Sequence, residues 1–280
     1  MHIQWFPGHM TKALRMMEKN IKVIDSVIYV LDARAPMACI NPAFDAVIGS
    51  RPVLYIINKS DLIERKDAGR WENFFNEKGL SALSVDSVSS KYSGKIINKL
   101  IEINAALIER YKSKGVVRSV RAMVIGVPNT GKSTLINALS GGKKTSTGDR
   151  PGITKGKQWI VIDNNIELLD TPGTMSPNLV NQEHAKHLAF IGCINDDILN
   201  IEELSLELIR HLNEHHKDLL IKRYGIKPND SAEEILDAIA VSRGYLIKGG
   251  ATDVSRASNA VIDDFRKTKI GRIMLEYPDA

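Results

Sequence analysis

Up to about residue 170 the apolar positions fall into short continuous runs, each ending on a polar residue. Residues 26–31 are β-branched, aromatic or aliphatic after a leading serine and stop at Asp32; residues 52–57 repeat the pattern and stop at Asn58. Residues 120–125 form another run, and residues 80–85 a weaker one. Such runs predict strands buried on both faces, hence a mostly parallel sheet with helices on either side. Residues 95–111 carry apolar side chains at Ile96, Ile97, Leu100, Ile103, Ala106 and Leu107, a helical period. Residues 158–162 and 166–169 flank Asp163, Asn164 and Asn165, which predicts a hairpin.

After about residue 175 the strand-like runs cease and helical periods take over. One covers residues 201–220. A second opens at a capping box from Ser231 to Glu234 and runs to about 243. A third covers 253–269, with Gly271 beyond it. The polar stretch 174–182 reads as a linker. The expectation is an α/β domain over residues 1–177 and an all-helical domain over 178–280.

In open parallel sheets ligands bind at the carboxyl ends of the strands, so the polar residues after each run are the candidates for chemistry. The strand at 120–125 leads into Gly126-Val-Pro-Asn-Thr-Gly-Lys-Ser133, a G-x-x-x-x-G-K-[ST] phosphate loop, and a helix follows. Backbone N–H groups of Asn129, Thr130, Gly131, Lys132, Ser133 and Thr134 are expected to close around phosphates, helped by the helix N-terminus. Lys132 is expected to reach the β and γ phosphates, and the Ser133 hydroxyl to ligate Mg²⁺. Asp170-Thr-Pro-Gly173 ends the next apolar strand; Asp170 suits Mg²⁺, and the Gly173 amide suits the γ-phosphate. Residues 143–157 form a loop rich in Lys, Thr, Gly and Pro. A threonine there can join the metal only while the γ-phosphate is present, and Thr154 is preferred over Thr145 and Thr147.

Asn58-Lys59-Ser60-Asp61 follows the strand at 52–57. A carboxylate at Asp61 can accept hydrogen bonds from N1–H and N2–H₂ of guanine, a pair that adenine does not offer. Asn58 suits the base edge and the bracing of its own loop, the Lys59 stem suits the face of the base, and Ser87 is the candidate in a second base-side loop. This base-reading sequence precedes the phosphate loop instead of following it. A parallel sheet tolerates such a rotation when its ends lie close.

The rotated order resembles the circularly permuted GTPases of the YlqF/RbgA type. So do the opening Trp5-Phe-Pro-Gly-His-Met10, Asp32-Ala-Arg34 after the first strand, Asn58–Asp61, the phosphate loop and Asp170–Gly173. The resemblance spans residues 5–173; the helical remainder is consistent with that family's RNA-binding domain but carries no motif as specific. It implies a cytoplasmic GTP hydrolase that acts late in assembly of the large (50S) ribosomal subunit. Such a protein would meet rRNA and ribosomal proteins on the 50S precursor, with hydrolysis stimulated there. Two other readings stay open: an RNA-binding scaffold that senses GTP and hydrolyses it incidentally, and a factor for the small subunit.

Ras-like enzymes place a water-orienting Gln after Asp-x-x-Gly; here Thr174 stands in that place, too short for the task. From the residues alone His9 is either a solvated turn residue or the missing group, and the resemblance favours catalysis. Asn129 either braces its turn or, like the equivalent residue of K⁺-stimulated GTPases, holds a K⁺ ion where an arginine finger would bring charge. Arg34 has three readings: a brace, an RNA contact or a surface ion pair.

The chain has 280 residues, a net charge of +5 and a pI near 9.0, which favours a polyanionic partner. Lys12, Arg15, Lys19 and Lys22 line one helix face, while Arg243, Lys248, Arg256, Arg266, Lys267, Lys269 and Arg272 accumulate later; both sets suit RNA phosphates. Cys39 and Cys193 show no metal or disulfide spacing and read as reduced thiols. No apolar run approaches the length of a membrane span, no signal peptide opens the chain, and no heptads predict a coiled coil, so a monomer is expected.

Overall fold

The structure, a computed structural model, describes residues 3, 8–141, 159–163, 165–175, 181–227 and 231–278. The loop at 143–157, with Thr154, Thr145 and Thr147, lies outside the described residues, as does most of the linker at 174–182. Grouped by contacts, the chain forms two units. One comprises Trp5–Asn178 and Met274–Ala280; the other comprises Met1–Gln4 and Leu179–Ile273. The chain thus returns to the first unit after the helical one, which no pattern in the sequence foretold.

The first unit is a six-stranded sheet in the order β3-β2-β1-β4-β6-β5. The strands are β1 (Ser26–Asp32), β2 (Val53–Asn58), β3 (Ser81–Ser84), β4 (Val120–Ile125), β5 (Trp159–Asp163) and β6 (Ile166–Asp170). Neighbours from β3 across to β6 run parallel, and β5 pairs antiparallel with β6 as the predicted hairpin. Register aligns the carboxyl ends. Asp32 stands opposite Asn58, Tyr29 opposite Ile125, and Val124 opposite Asp170.

Every residue of β1 is buried, as a central strand requires. On one face of the sheet Ile28, Val30, Leu54, Ile56 and Val124 pack against α4 (Ser93–Ile103) and α6 (Lys132–Leu139) through Ile96, Leu100, Leu135 and Leu139. Elsewhere in the same unit Tyr29, Tyr55 and Phe75 of α3 (Arg65–Glu77) form a stack, with Phe44 edge-on to Tyr29 ahead of α2 (Asp45–Ile48). The helix predicted over 95–111 is two helices, α4 and α5 (Ala105–Lys112). Asn104 lies between them, buried, donating to Ser26 Oγ and to the Leu100 carbonyl.

In the helical unit α7 (Gln182–Phe190), α8 (Ile201–His215), α10 (Ala232–Ser242) and α11 (Val254–Arg266) are each opened by a side-chain cap. Asn181 accepts from Glu183 N, Asn200 from Glu203 N, Ser231 from Glu234 N and Asp253 from Arg256 N. Leu204, Leu208, Leu212, Ile239, Val261 and Phe265 are buried in this unit. The stretch predicted over 201–220 is interrupted at His216, which has φ −143°, and resumes as α9 (Lys217–Tyr224). Among the described residues no helix is long and apolar enough to cross a membrane.

Candidate nucleotide site

Gly126 to Gly131 carries the chain from β4 into α6, as the phosphate-loop motif predicts. Gly131 has φ +93°, and a Cβ there would stand 2.3 Å from Asn58 Nδ2. Glycine is required both for the backbone turn and because the Asn58 amide crosses that space. Asn58, fully buried, donates from Nδ2 to the Thr130 carbonyl at 2.7 Å and accepts from Ser87 N at 3.1 Å. One amide therefore ties together the loops after β2, β3 and β4. Of the two roles expected of Asn58 the structure supplies the bracing one, and both ends of the amide are engaged in it. Ser87 is brought into the site by its backbone, with its side chain buried too.

Lys132 begins α6 with its ammonium folded back onto the loop, donating to the carbonyls of Val127 at 2.8 Å and Gly126 at 3.1 Å. A buried lysine folded onto loop carbonyls offers its charge to an entering phosphate. Ser133 and Thr134 follow it and are exposed. A Cβ on Gly173 would lie 2.7 Å from Pro128 Cα and 2.8 Å from Lys132 Nζ, so the Asp170–Gly173 loop passes directly against the phosphate loop.

Asp170 ends β6 beside Val124. Among the described residues its buried Oδ1 has no hydrogen-bond partner. Burial pushes its pKa above the usual carboxylate range, and the nearby Lys132 ammonium only partly opposes this. An orphaned carboxylate oxygen near a phosphate loop fits a hard divalent cation, and the exposed Ser133 hydroxyl fits the same ion. Magnesium is thus compatible with the residues present.

Lys59 takes a left-handed conformation at φ +59°, and its ammonium contacts the Asn129 carbonyl at 2.5 Å and Asp32 Oδ2 at 2.9 Å. Asp61 lies exposed in the turn Ser60–Leu62. Asn129, also left-handed at φ +60°, is exposed at the loop's outer corner. The sequence did not reveal the role of Asp32. It is fully buried and receives Arg34 through Nε at 2.9 Å and Nη2 at 2.8 Å, in addition to Lys59. Burial would raise its pKa, but the guanidinium and then the ammonium hold it far below the usual carboxylate range. Arg34 is 2% exposed, which corrects the expectations of an RNA contact or a surface pair: it is a buried brace.

Thr174, in the place of the Ras-type Gln, is 2% exposed, and its backbone N–H donates to the Gly126 carbonyl at 3.3 Å. It cannot present a group to an attacking water. His9 lies in α1 (Gly8–Asn20), with its side chain outside those described, and Thr154 lies outside the described residues.

A family model described as a 50S ribosome-binding GTPase matches residues 121–233. That span begins after the Asn58–Asp61 loop, as expected where the sites on the two halves occur in rotated order. A ribosome biogenesis GTPase A of Priestia megaterium is 38% identical over 99% of this chain and 98% of its own length. A GDP-bound YlqF structure shares 26% identity and a TM-score of 0.69, covering 95% of this chain and 100% of that one. The GNP-bound YlqF of T. maritima gives 26% and 0.67, covering 96% and 99%. With the phosphate loop after β4, the Asn58–Asp61 loop two strands away after β2 and the two brought together by Asn58, the chain belongs to the ribosome biogenesis GTPase A family and is a circularly permuted GTPase.

Proposed function

We propose that this GTPase acts in the cytoplasm as a late assembly factor of the large (50S) ribosomal subunit. It binds rRNA and ribosomal proteins of the precursor in its GTP state and leaves on hydrolysis. The observation that carries the reading is the meeting of four loops, distant in sequence, through Asn58, Thr130 and Ser87 at one end of the site and Lys132 and Gly173 at the other. Asp61 reads guanine, with Lys59 against the base. The amides from Asn129 to Thr134 and of Gly173 hold the phosphates, and Lys132 neutralises developing charge on them. Ser133, Asp170 and Thr154 are the ligands for Mg²⁺, which when bound screens the phosphate charge. His9 orients the attacking water in place of the buried Thr174, and Asn129 offers its side chain to a K⁺ ion. The protein works as a monomer.

The same burial of Thr174 favours a second reading, an RNA-binding scaffold whose unaided hydrolysis is slow and incidental. Depleting the protein from cells and sedimenting their ribosomes tests the first. Immature large subunits are expected to accumulate, and immature small subunits beside normal large ones would refute it. His9→Ala separates the readings, because a scaffold lacking hydrolysis would still support assembly. Turnover of the purified protein on the particle, compared in KCl and NaCl at equal ionic strength, checks the ion: equal rates would remove K⁺ from the account.

A further inference from the structure

The loop after β1 is unusual in being buried along most of its length while lying outside helix and strand. Ala33, Arg34, Ala35, Ala38 and Cys39 are each 5% exposed or less. A buried loop must find acceptors for its N–H groups. Tyr29 takes one from below, its hydroxyl accepting from Asn41 N at 2.5 Å. Two others are met by a residue more than two hundred positions away. Glu276 accepts from Met37 N at 2.7 Å and from Ala38 N at 3.1 Å, and Leu275 N donates to the Arg34 carbonyl at 2.8 Å. Tyr277 lies 5.5 Å from the Arg70 guanidinium, a further attachment within the same unit.

This loop is also the one that holds the base-reading lysine. From Arg34, gripped by Leu275, the contacts run to the Asp32 carboxylate, from Asp32 to Lys59 Nζ, and from Lys59 to the Asn129 carbonyl of the phosphate loop. Each step is a charge-assisted or backbone hydrogen bond, and Asp32 has no exposure through which water could replace a lost partner.

We propose that the segment at 274–277 is a latch on the guanine site and that Glu276 is a positioning residue for nucleotide binding, acting through the loop at 32–39 on Lys59. The inference rests on the assignment of Asn58–Asp61 as the base-reading loop. The latch serves the base side of the site, because the phosphates are held by Lys132 and the loop amides, which Glu276 does not touch.

The test is to titrate the full chain with GDP and, separately, with inorganic tripolyphosphate. Glu276→Ala is expected to weaken GDP about five- to twentyfold and Glu276→Gln, which keeps one acceptor oxygen, by a smaller factor, with tripolyphosphate unchanged in both. Equal loss on both ligands, or no loss of GDP with either variant, overturns the proposal. Should Glu276→Ala fail to fold, Glu276→Gln and the unaltered protein still decide. Coupling is reciprocal, so GDP must slow hydrogen exchange at the Met37 and Ala38 amides, and unchanged exchange overturns the latch. A failure of the base-reading assignment looks different: Asp61→Asn would then leave the preference for GTP over ATP intact, whatever the Glu276 variants do.

Discussion

The two units spend the same residue types on different tasks. In the sheet unit Asp32, Arg34, Asn58, Thr130 and Lys132 are buried at the carboxyl edge, and Asn58 and Asp32 reach loops far apart in sequence through Thr130, Ser87 and Lys59. In the helical unit Asn181, Asn200, Ser231 and Asp253 sit outside the core and bond two or three residues ahead, closing helix ends. Local bonds of the second kind stabilise an element and need nothing from outside. Long-range buried networks of the first kind fix loops relative to one another, and they leave an orphan, the Asp170 oxygen, where a ligand belongs. A site therefore shows itself by where polar groups are buried and left unfinished, more than by which residues they are.

The most forceful way to break the contrast is Lys132→Ala. It removes a buried ammonium bonded to the Gly126 and Val127 carbonyls, and the phosphates lose a charge-assisted contact. Affinity for GTP should fall roughly a hundredfold, at about 1.5–3 kcal/mol for a hydrogen bond to a charged group. Isothermal calorimetry gives the affinity, and far-ultraviolet circular dichroism of the helical content should be unchanged. A comparable loss of helix signal would mean that Lys132 serves the fold.

What the sequence made legible follows the same division. Strands β1, β2 and β4 were readable because a central strand needs an unbroken apolar run, and the phosphate loop because its backbone path demands glycines at fixed spacing. The cap at Ser231 was readable because its bond is local. The breaks at Asn104 and His216 were not, since both fall inside continuing apolar periods and Asn104 is held by Ser26, a strand residue distant in sequence. The burial of Arg34 and of Thr174 and the grip of Glu276 on Met37 and Ala38 depend on which loops meet. No spacing encodes that.

The helical unit has unfinished polar groups as well, and one of them sharpens the comparison. Among the described residues Nε2 of His211, in α8, is buried without a hydrogen-bond partner. Desolvation, then the nearby His187, His215 and His216, hold its pKa down to about 4. In the unfolded chain the group titrates near 6.5. The unfolded state therefore binds the extra proton between those values, and stability is lost as pH falls from about 6.5 towards 4. Urea unfolding at pH 7 and pH 5 should differ by roughly 1–2 kcal/mol from this residue. His211→Leu should remove most of the difference. If the variant keeps the full pH dependence, other groups carry it.

The smallest expected effect concerns the basic residues read from sequence as an RNA surface, which the structure divides. Arg266 is bound to Asp196 and to the carbonyls of Ala189 and Phe190; Lys267 pairs with Asp263, and Lys269 with Asp263 and Asp264. Their charge is largely spent inside the unit. Lys248 is exposed in the turn between α10 and α11, and Arg256 is exposed and stacks on Tyr245 at 4.5 Å. Both keep their charge facing solvent, and an arginine on an aromatic face suits an unpaired base as well as a phosphate. Lys248→Ala with Arg256→Ala should weaken binding to 50S-precursor rRNA several-fold and lower the slope of log affinity against log salt by about 2, one per phosphate contact. Lys267→Ala with Lys269→Ala removes the same formal charge and should leave the slope nearly unchanged, because carboxylates already neutralise those ammonium groups. A filter-binding series from low to high salt separates the pairs. If both lower the slope equally, net charge alone governs the contact, and the ion pairs on α11 do not withhold their lysines from RNA.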